Sequence, residues 1–100
     1  MVNHPNRHGQ AVLVTTAHRG VFFGYLNGYA PGDAVVHLKQ ARNVLYWPSG
    51  QKGFLGLAAF GPKSGARVGP AAPEIELRDI TSVAPCTDEA VNAWEASPWN

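Results

Sequence analysis

The residues best suited to chemistry are an arginine and an asparagine, Arg42 and Asn43, with Tyr46 and Trp47 close behind them in the chain. A guanidinium can pair with a phosphate and an aromatic ring can stack on a base, so this grouping is typical of a site for an anionic, ring-containing ligand. Arg19, at the first predicted turn, adds a further cation. The alternative is ordinary packing, with an aromatic ring in the core and Arg42 bonded to a backbone carbonyl.

A second basic segment follows the only near-match to a phosphate-binding motif. The run from Gly56 to Ser64 differs by one insertion from the pattern G-x-x-x-x-G-K-[S/T], and the inserted residue is Pro62, which has no N–H for a phosphate. We therefore exclude a phosphate-binding loop of that kind. We predict instead a flexible basic loop in which Lys63 and Arg67 contact an anion.

Catalytic and metal chemistry find little support in the sequence. The chain has four histidines and a single cysteine, Cys86, and no histidine stands at ligand spacing from a carboxylate. Cys86 precedes a predicted helix, a position that can lower a thiol pKa, but no histidine is near it in sequence and we expect a structural or incidental role. We predict no catalytic residue, no metal ion, no cofactor and a protein that is not an enzyme.

Length and hydropathy patterning predict one small β-rich domain. With 100 residues, of which 45% are hydrophobic, the chain can bury one core. We expect a disordered tail over residues 1–9 and a single domain over 10–100. We expect no membrane span, because no apolar run reaches ~18–20 residues. Short β-branched or alternating runs predict five or six strands, at 10–17, 21–26, 35–39, 44–47, 74–77 and 80–83.

Two helices complete the predicted fold. Residues 53–60 are compatible with a strand or a short helix, and Gly61-Pro62 after them favours the helix. Thr87-Asp-Glu89 is a good N-cap, which predicts a C-terminal amphipathic helix over 88–96 that buries Val91 and Trp94. The predicted fold class is therefore mainly β (α+β): a small barrel or sandwich with a short central helix and a C-terminal helix.

Three features of the sequence suggest that copies of the chain assemble. Charged residues make up only 15% of the chain, although a small domain has much surface to cover. The predicted second strand is apolar on both faces, and its residues Phe23 and Tyr25 are candidates for an interface between copies. Residues 1–73 carry a net charge of +6 and residues 74–100 a net charge of −5, which fits head-to-tail contact, an anionic partner, or neutralisation within the fold.

Several strings of residues resemble small uncharacterised proteins of tailed phages and prophages. They are His18-Arg19-Gly20-Val-Phe-x-Gly24, Leu38-x-x-Ala41-Arg42-Asn43-x-x-Tyr46-Trp47 and Gly53-Phe-Leu-Gly56-Leu57-Ala58-x-x-Gly61-Pro62, with matching residues around Arg67, Ile80 and Trp94. The resemblance covers about residues 11–99. It implies a family of unknown function, a phage origin and an accessory role in the host cytoplasm.

A weaker resemblance, at the level of the fold, is to Sm-like small barrels. The run Gly20-Val-Phe-Phe-Gly24-Tyr-Leu followed by Val36-x-Leu38-x-x-Ala41 looks like their second and third strands. The resemblance implies a ring built by edge-to-edge strand pairing. The chain departs from it by an insertion of some thirty residues before the last strands and by a helix at its end instead of its beginning.

These observations predict a phage-encoded, non-enzymatic, homo-oligomeric module that binds an anionic ligand, either a nucleotide signal or a nucleic acid, and that could act by sequestering it from a host defence. The predicted ligand-binding residues are Arg19, Arg42, Asn43, Tyr46, Trp47, Lys63 and Arg67. On this hypothesis, Arg42→Ala should weaken binding with little change in melting temperature. The alternative is a structural, self-assembling or host-protein-binding protein without a small ligand.

Overall fold

The computed structural model describes residues 9–17, 20–28, 32, 34–51 and 53–96. Most of the predicted N-terminal tail therefore lies outside the described residues. The elements, in chain order, are β1 (Ala11–Thr16), β2 (Val21–Leu26), β3 (Val36–Tyr46), a 3-10 turn (Ser49–Gln51), α1 (Gly53–Phe60), β4 (Arg67–Val68), β5 (Ala72–Leu77), β6 (Ile80–Pro85) and α2 (Asp88–Ala96).

The strands form one antiparallel sheet of six strands. Its order is β4-β3-β2-β1-β6, and β5 pairs with β3 beside the short β4. Two residues, Arg78 and Asp79, connect β5 to β6, although these strands lie at opposite edges of the sheet. Their ends, Leu77 and Ile80, can be at most about 11 Å apart, whereas a flat sheet would separate the two edges by roughly 19 Å. The sheet must therefore curl.

A small β-rich fold with two helices is confirmed, and closure of a barrel is not shown. Among the described residues, β6 is paired with β1 and β5 with β3, and no ladder joins β5 to β6. The sheet is thus open, curled from one edge to the other across the connection at Arg78 and Asp79. No helix in the described part of the chain is long and apolar enough to cross a membrane.

The two apolar faces predicted for the second strand are confirmed. Val21, Phe23 and Tyr25 face a core cluster that the helices cover, while Phe22 and Leu26 belong to a second cluster on the opposite side of the sheet. The second cluster consists of strand residues only, and Val12, Val14, Val36 and Leu38 in it are fully buried, so the curled sheet itself covers it.

The predicted third and fourth strands are one continuous strand of 11 residues. A bulge links its two halves: Gln40 has a left-handed backbone (φ 51°), and the register between β2 and β3 shifts between Phe23 and Tyr25. Gly24 stands opposite this bulge, where a Cβ atom would come within 2.9 Å of the Leu38 Cβ. The close approach of β3 explains why only glycine fits there.

The two predicted helices are confirmed at Gly53–Phe60 and Asp88–Ala96. Gly61 ends α1 with a left-handed backbone (φ 78°) and donates its N–H to the Leu57 carbonyl at 2.9 Å. Thr87 caps α2, because its hydroxyl accepts the Ala90 N–H at 3.0 Å. Trp94 is buried as predicted, whereas Ala90 rather than Val91 is the other fully buried residue of α2.

Candidate functional site

The last residue of β3 and the first of β4 place an aromatic ring beside a cation. Tyr46 and Arg67 are partners across the β3–β4 ladder, just beyond a shift in register between Val44 and Tyr46, so their backbones lie side by side at this end of the sheet. Both are exposed, and Tyr46 leaves 54% of its surface accessible to solvent. An exposed phenol beside an exposed guanidinium can stack on a ring and pair with an anion.

Lys63 and Phe60 form a second aromatic–cation couple next to the first. The Lys63 ammonium lies 4.9 Å from the centre of the Phe60 ring, and both residues are exposed. The Ala66 N–H donates to the Lys63 carbonyl at 2.9 Å, which makes a tight turn that leads directly into Arg67. We call these four residues, Tyr46, Phe60, Lys63 and Arg67, the aromatic–cation end of the molecule.

Gln51 fixes the loop that carries Lys63. This glutamine is fully buried, donates from Nε2 to the Gly61 carbonyl at 2.7 Å and accepts the Lys63 N–H on Oε1 at 2.9 Å. A buried amide with both ends hydrogen-bonded resists displacement, because breaking either bond would leave a polar atom without a partner. The backbone of Lys63 is therefore held in place although its side chain is on the surface.

Asn43 and Trp47, two other predicted ligand-binding residues, lie near this end but are placed differently. Trp47 is half-buried and packs against the helix-covered core cluster, so its ring contributes to the fold. Asn43 is exposed, but it pairs across the ladder with Phe22 on β2, and its carbonyl accepts the Gly69 N–H at 2.8 Å. Neither belongs to the two aromatic–cation couples.

Arg42 has the packing role that the sequence left as an alternative. Its side chain is only 8% exposed; Nε donates to the Gly69 carbonyl at 2.9 Å and an η nitrogen donates to the Trp94 carbonyl at 2.8 Å. Burial lowers the pKa of this guanidinium. Arg42 therefore joins β3 to the connection before β5 and to the last turn of α2, and lines a cavity of about 470 Å³ between them.

The apolar face predicted for a second copy of the chain is covered by α2 of the same chain. Phe23 is 2% exposed, and its ring stacks on that of Trp94 with 4.6 Å between centroids. Tyr25 is half-buried beside them and donates its hydroxyl to Glu95. Burial, followed by this contact with the Glu95 carboxylate, raises the pKa of Tyr25. The structure thus assigns Phe23 to the core, because α2 supplies the apolar surface that a partner would have supplied.

The family of the chain follows from comparison with known proteins. A family model described as a domain of unknown function, DUF6948, matches residues 9–94. The chain belongs to the DUF6948 family. No curated protein and no solved structure matches it. Membership of DUF6948 confirms the expectation of a family of unknown function, and it leaves the chemistry of the site to be argued from the residues themselves.

The other residues that the sequence analysis singled out are Arg19 and Cys86. Arg19 lies outside the described residues. Among the residues that the structure does describe in this DUF6948 chain, no group of three His, Cys, Asp or Glu side chains could hold a metal ion. Burial raises the pKa of the Cys86 thiol to about 12, so the effect of its place before α2 is outweighed by desolvation.

Phe60 is the member of the aromatic–cation end that sequence reasoning missed. Phe60 is the last residue of the apolar helix α1, and 44% of its surface is exposed. The signal was available in the spacing, because Lys63 follows Phe60 by three residues across the helix stop at Gly61. An aromatic residue at the last position of a helix, just before a basic loop, is well placed to meet a cation of that loop.

Proposed function

We propose that this DUF6948 protein is a non-enzymatic binding module that holds an anionic ligand, a nucleotide or a nucleic acid, on its aromatic–cation end. The observation that carries the proposal is the pairing of Tyr46 with Arg67 across the β3–β4 ladder, with Lys63 one turn away. Of the residues selected from sequence, these three are exposed and adjacent. They combine a stacking surface with two cations, the minimum needed to hold a base and its phosphate.

The contributions of the ring and of the cations to binding differ in kind. Base stacking on Tyr46 supplies affinity that does not depend on salt, whereas Arg67 and Lys63 supply charge attraction that salt screens. Arg67 can also pair with a phosphate through two parallel N–H···O bonds, which a lysine cannot do. Loss of the ring and loss of a cation should therefore be distinguishable by their salt dependence.

Assembly of several copies belongs to the same proposal. Helix α1 is apolar all round, and Leu55 on it is 61% exposed; a helix of this composition is usually covered on every side. The edge strands β5 and β6 each have one unpaired side within the described sheet. The strand order, in which β6 returns to pair with β1, supports the proposal of an Sm-like barrel. The full proposal is an accessory protein of phage origin that forms a ring and acts in the host cytoplasm.

A structural or host-protein-binding role without a small ligand is the second candidate. Exposed Leu45 and Leu55 favour it, since each leaves more than half of its surface accessible to solvent. Under this alternative the apolar residues contact another protein, and Lys63 and Arg67 only keep the surface soluble. The two candidates differ in whether a phosphate-bearing compound binds at all.

Titration calorimetry tests the proposal. Wild-type protein is titrated with ATP, a cyclic dinucleotide and a 12-nucleotide oligothymidylate, and compared with the double variant Lys63→Gln/Arg67→Gln. Lys39→Gln is the control, because Lys39 is an exposed cation on the same strand as Tyr46 but lies between Tyr25 on β2 and Glu74 on β5. We expect at least one ligand to bind, the double variant to lose at least tenfold in affinity and the control to bind like wild type. Absence of binding by all three compounds at millimolar concentration would contradict the proposal and favour the second candidate.

A further inference from the structure

The four side chains of the aromatic–cation end are exposed and lie outside two cavities of the structure. The structure has a cavity of about 530 Å³ between β6 and the residues just before β3, and one of about 470 Å³ beside Arg42 and α2. Neither is lined by Tyr46, Phe60, Lys63 or Arg67. The exposed rings and cations that support the proposed function therefore face solvent, outside both of these concave sites.

An open surface suits a chain-like ligand better than a single nucleotide. A small ligand that binds tightly is usually enclosed, with roughly 70–90% of its surface buried. Tyr46 and Arg67 can cover one face of one base and one phosphate, which leaves most of a mononucleotide in water. A polymer instead spreads the same kind of contact over successive nucleotides, so that each contact can be weak and the sum still binds.

The two aromatic–cation couples provide such a repeated contact. Tyr46 with Arg67 and Phe60 with Lys63 each combine one exposed ring with one exposed cation. A single turn of the chain, closed by the Ala66 N–H on the Lys63 carbonyl, separates the two cations. The unit of ring plus cation therefore occurs twice on one end of the molecule, and each unit can hold one base and one phosphate.

The helices do not fit a nucleic acid duplex. A helix that reads the major groove presents polar and cationic side chains to bases and phosphates. Helix α1 carries no polar or charged side chain, and α2 carries the exposed acids Asp88, Glu89 and Glu95 without a cation. Bases that are already unpaired expose their faces to Tyr46 and Phe60, whereas stacked base pairs do not.

We infer that the ligand is single-stranded nucleic acid, bound without strong sequence preference, with bases stacked on Tyr46 and Phe60 and phosphates paired to Arg67 and Lys63. This inference rests on the proposed function and narrows its ligand class. Stacking tolerates any base, because every base has an aromatic face. Gln51 has the role of a positioning residue, since it holds the Lys63 backbone through the 2.9 Å bond to Oε1.

Fluorescence anisotropy of a labelled 12-nucleotide oligothymidylate and of the matching oligouridylate tests the inference. Unlabelled ATP, a cyclic dinucleotide and a 12-base-pair duplex serve as competitors. Tyr46→Ala and Phe60→Ala should each weaken binding of the single strand by about 5- to 100-fold. His37→Ala is the matched control, because it removes an exposed ring from β3, the strand that carries Tyr46, and it should bind like wild type.

Salt dependence provides the second measurement. Each phosphate contact on a single strand contributes about −0.7 to the slope of log affinity against log salt concentration, so Arg67→Gln should reduce the magnitude of the slope by at least about 0.7. Tyr46→Ala should leave the slope unchanged while it lowers affinity. If ATP or the cyclic dinucleotide binds as tightly as the oligonucleotide, or if the duplex does, the inference is overturned while the proposed function survives. If none of these compounds binds, both are overturned.

Discussion

Replacement of Arg42 by alanine should destabilise the protein, in contrast to the expectation from sequence that it would weaken ligand binding alone. The substitution removes two hydrogen bonds from a charged donor, to the Gly69 carbonyl at 2.9 Å and to the Trp94 carbonyl at 2.8 Å. Hydrogen bonds to charged groups contribute about 1.5–3 kcal/mol each. The guanidinium is itself desolvated by burial, which lowers its pKa, and removing it recovers part of that cost.

The net effect is smaller than the two bonds together. Arg42 lines a cavity of about 470 Å³, so water can reach the two carbonyls once the side chain is gone and limit the penalty of leaving them unpaired. We expect a loss of about 2–4 kcal/mol in the free energy of unfolding. For a domain of this size, that corresponds to a fall of roughly 10–25 °C in melting temperature.

Urea and thermal unfolding followed by circular dichroism measure this change. Arg42→Lys keeps the charge but cannot reach two carbonyls with a planar fork, so it should lose nearly as much stability as Arg42→Ala. The control is Lys39→Ala, an exposed residue on the same strand, which should change stability by less than about 0.5 kcal/mol. If Arg42→Ala melts within 2–3 °C of wild type, the reasoning from these two contacts is refuted.

Three further predictions concern Gly61, which ends α1, and Cys86, which precedes α2. Gly61→Ala should cost about 2–4 kcal/mol, because the added Cβ would lie 2.5 Å from the Ala93 Cβ at a left-handed backbone. Gly53 is also left-handed but has open space around it, so Gly53→Ala should lower the free energy of unfolding by only about 1 kcal/mol. If urea unfolding gives the same loss for Gly61→Ala and Gly53→Ala, the steric explanation is contradicted. The native Cys86 thiol, with its pKa of about 12, should react with a disulfide reagent at pH 8 more than a hundredfold slower than in urea. Because the folded state favours the protonated thiol, the free energy of unfolding should decrease as pH rises from about 9 toward 12. In Cys86→Ala this decrease should be smaller.

Local patterns were sufficient to predict the parts of the fold whose residues are close in sequence. Alternation predicted both apolar faces of β2, and N-cap and stop signals predicted both helices. The join of two predicted strands into β3 was missed, because Gln40 adopts a left-handed backbone that its residue type does not favour. The bulge is imposed by the pairing of β3 with β2 and β5, which sequence alone does not show.

The sequence selected residues for the candidate site but did not show which of them lie together, because that depends on contacts between distant parts of the chain. Arg42 was predicted to bind a ligand, whereas in the structure it is bonded to the carbonyls of Gly69 and Trp94, which are 27 and 52 positions away in the chain. A cation close to aromatic residues in sequence can therefore belong either to a surface or to a buried tertiary contact. The pairing of Tyr46 with Arg67 was equally invisible, since it depends on the two-residue strand β4 inside a predicted loop.

The strand pairing also determines which of the basic residues lie beside acidic residues and which do not. The ladder between β3 and β5 places Lys39 opposite Glu74, so the cationic and acidic parts of the chain interleave there. That ladder ends at Ala41, five residues before Tyr46, and beyond it β3 pairs with β4, which brings the cation Arg67 instead of an acid. The pairing of cations with acids therefore ends where the aromatic–cation end begins. The positive charges of Arg67 and Lys63 are exposed there and can attract an anion from solution.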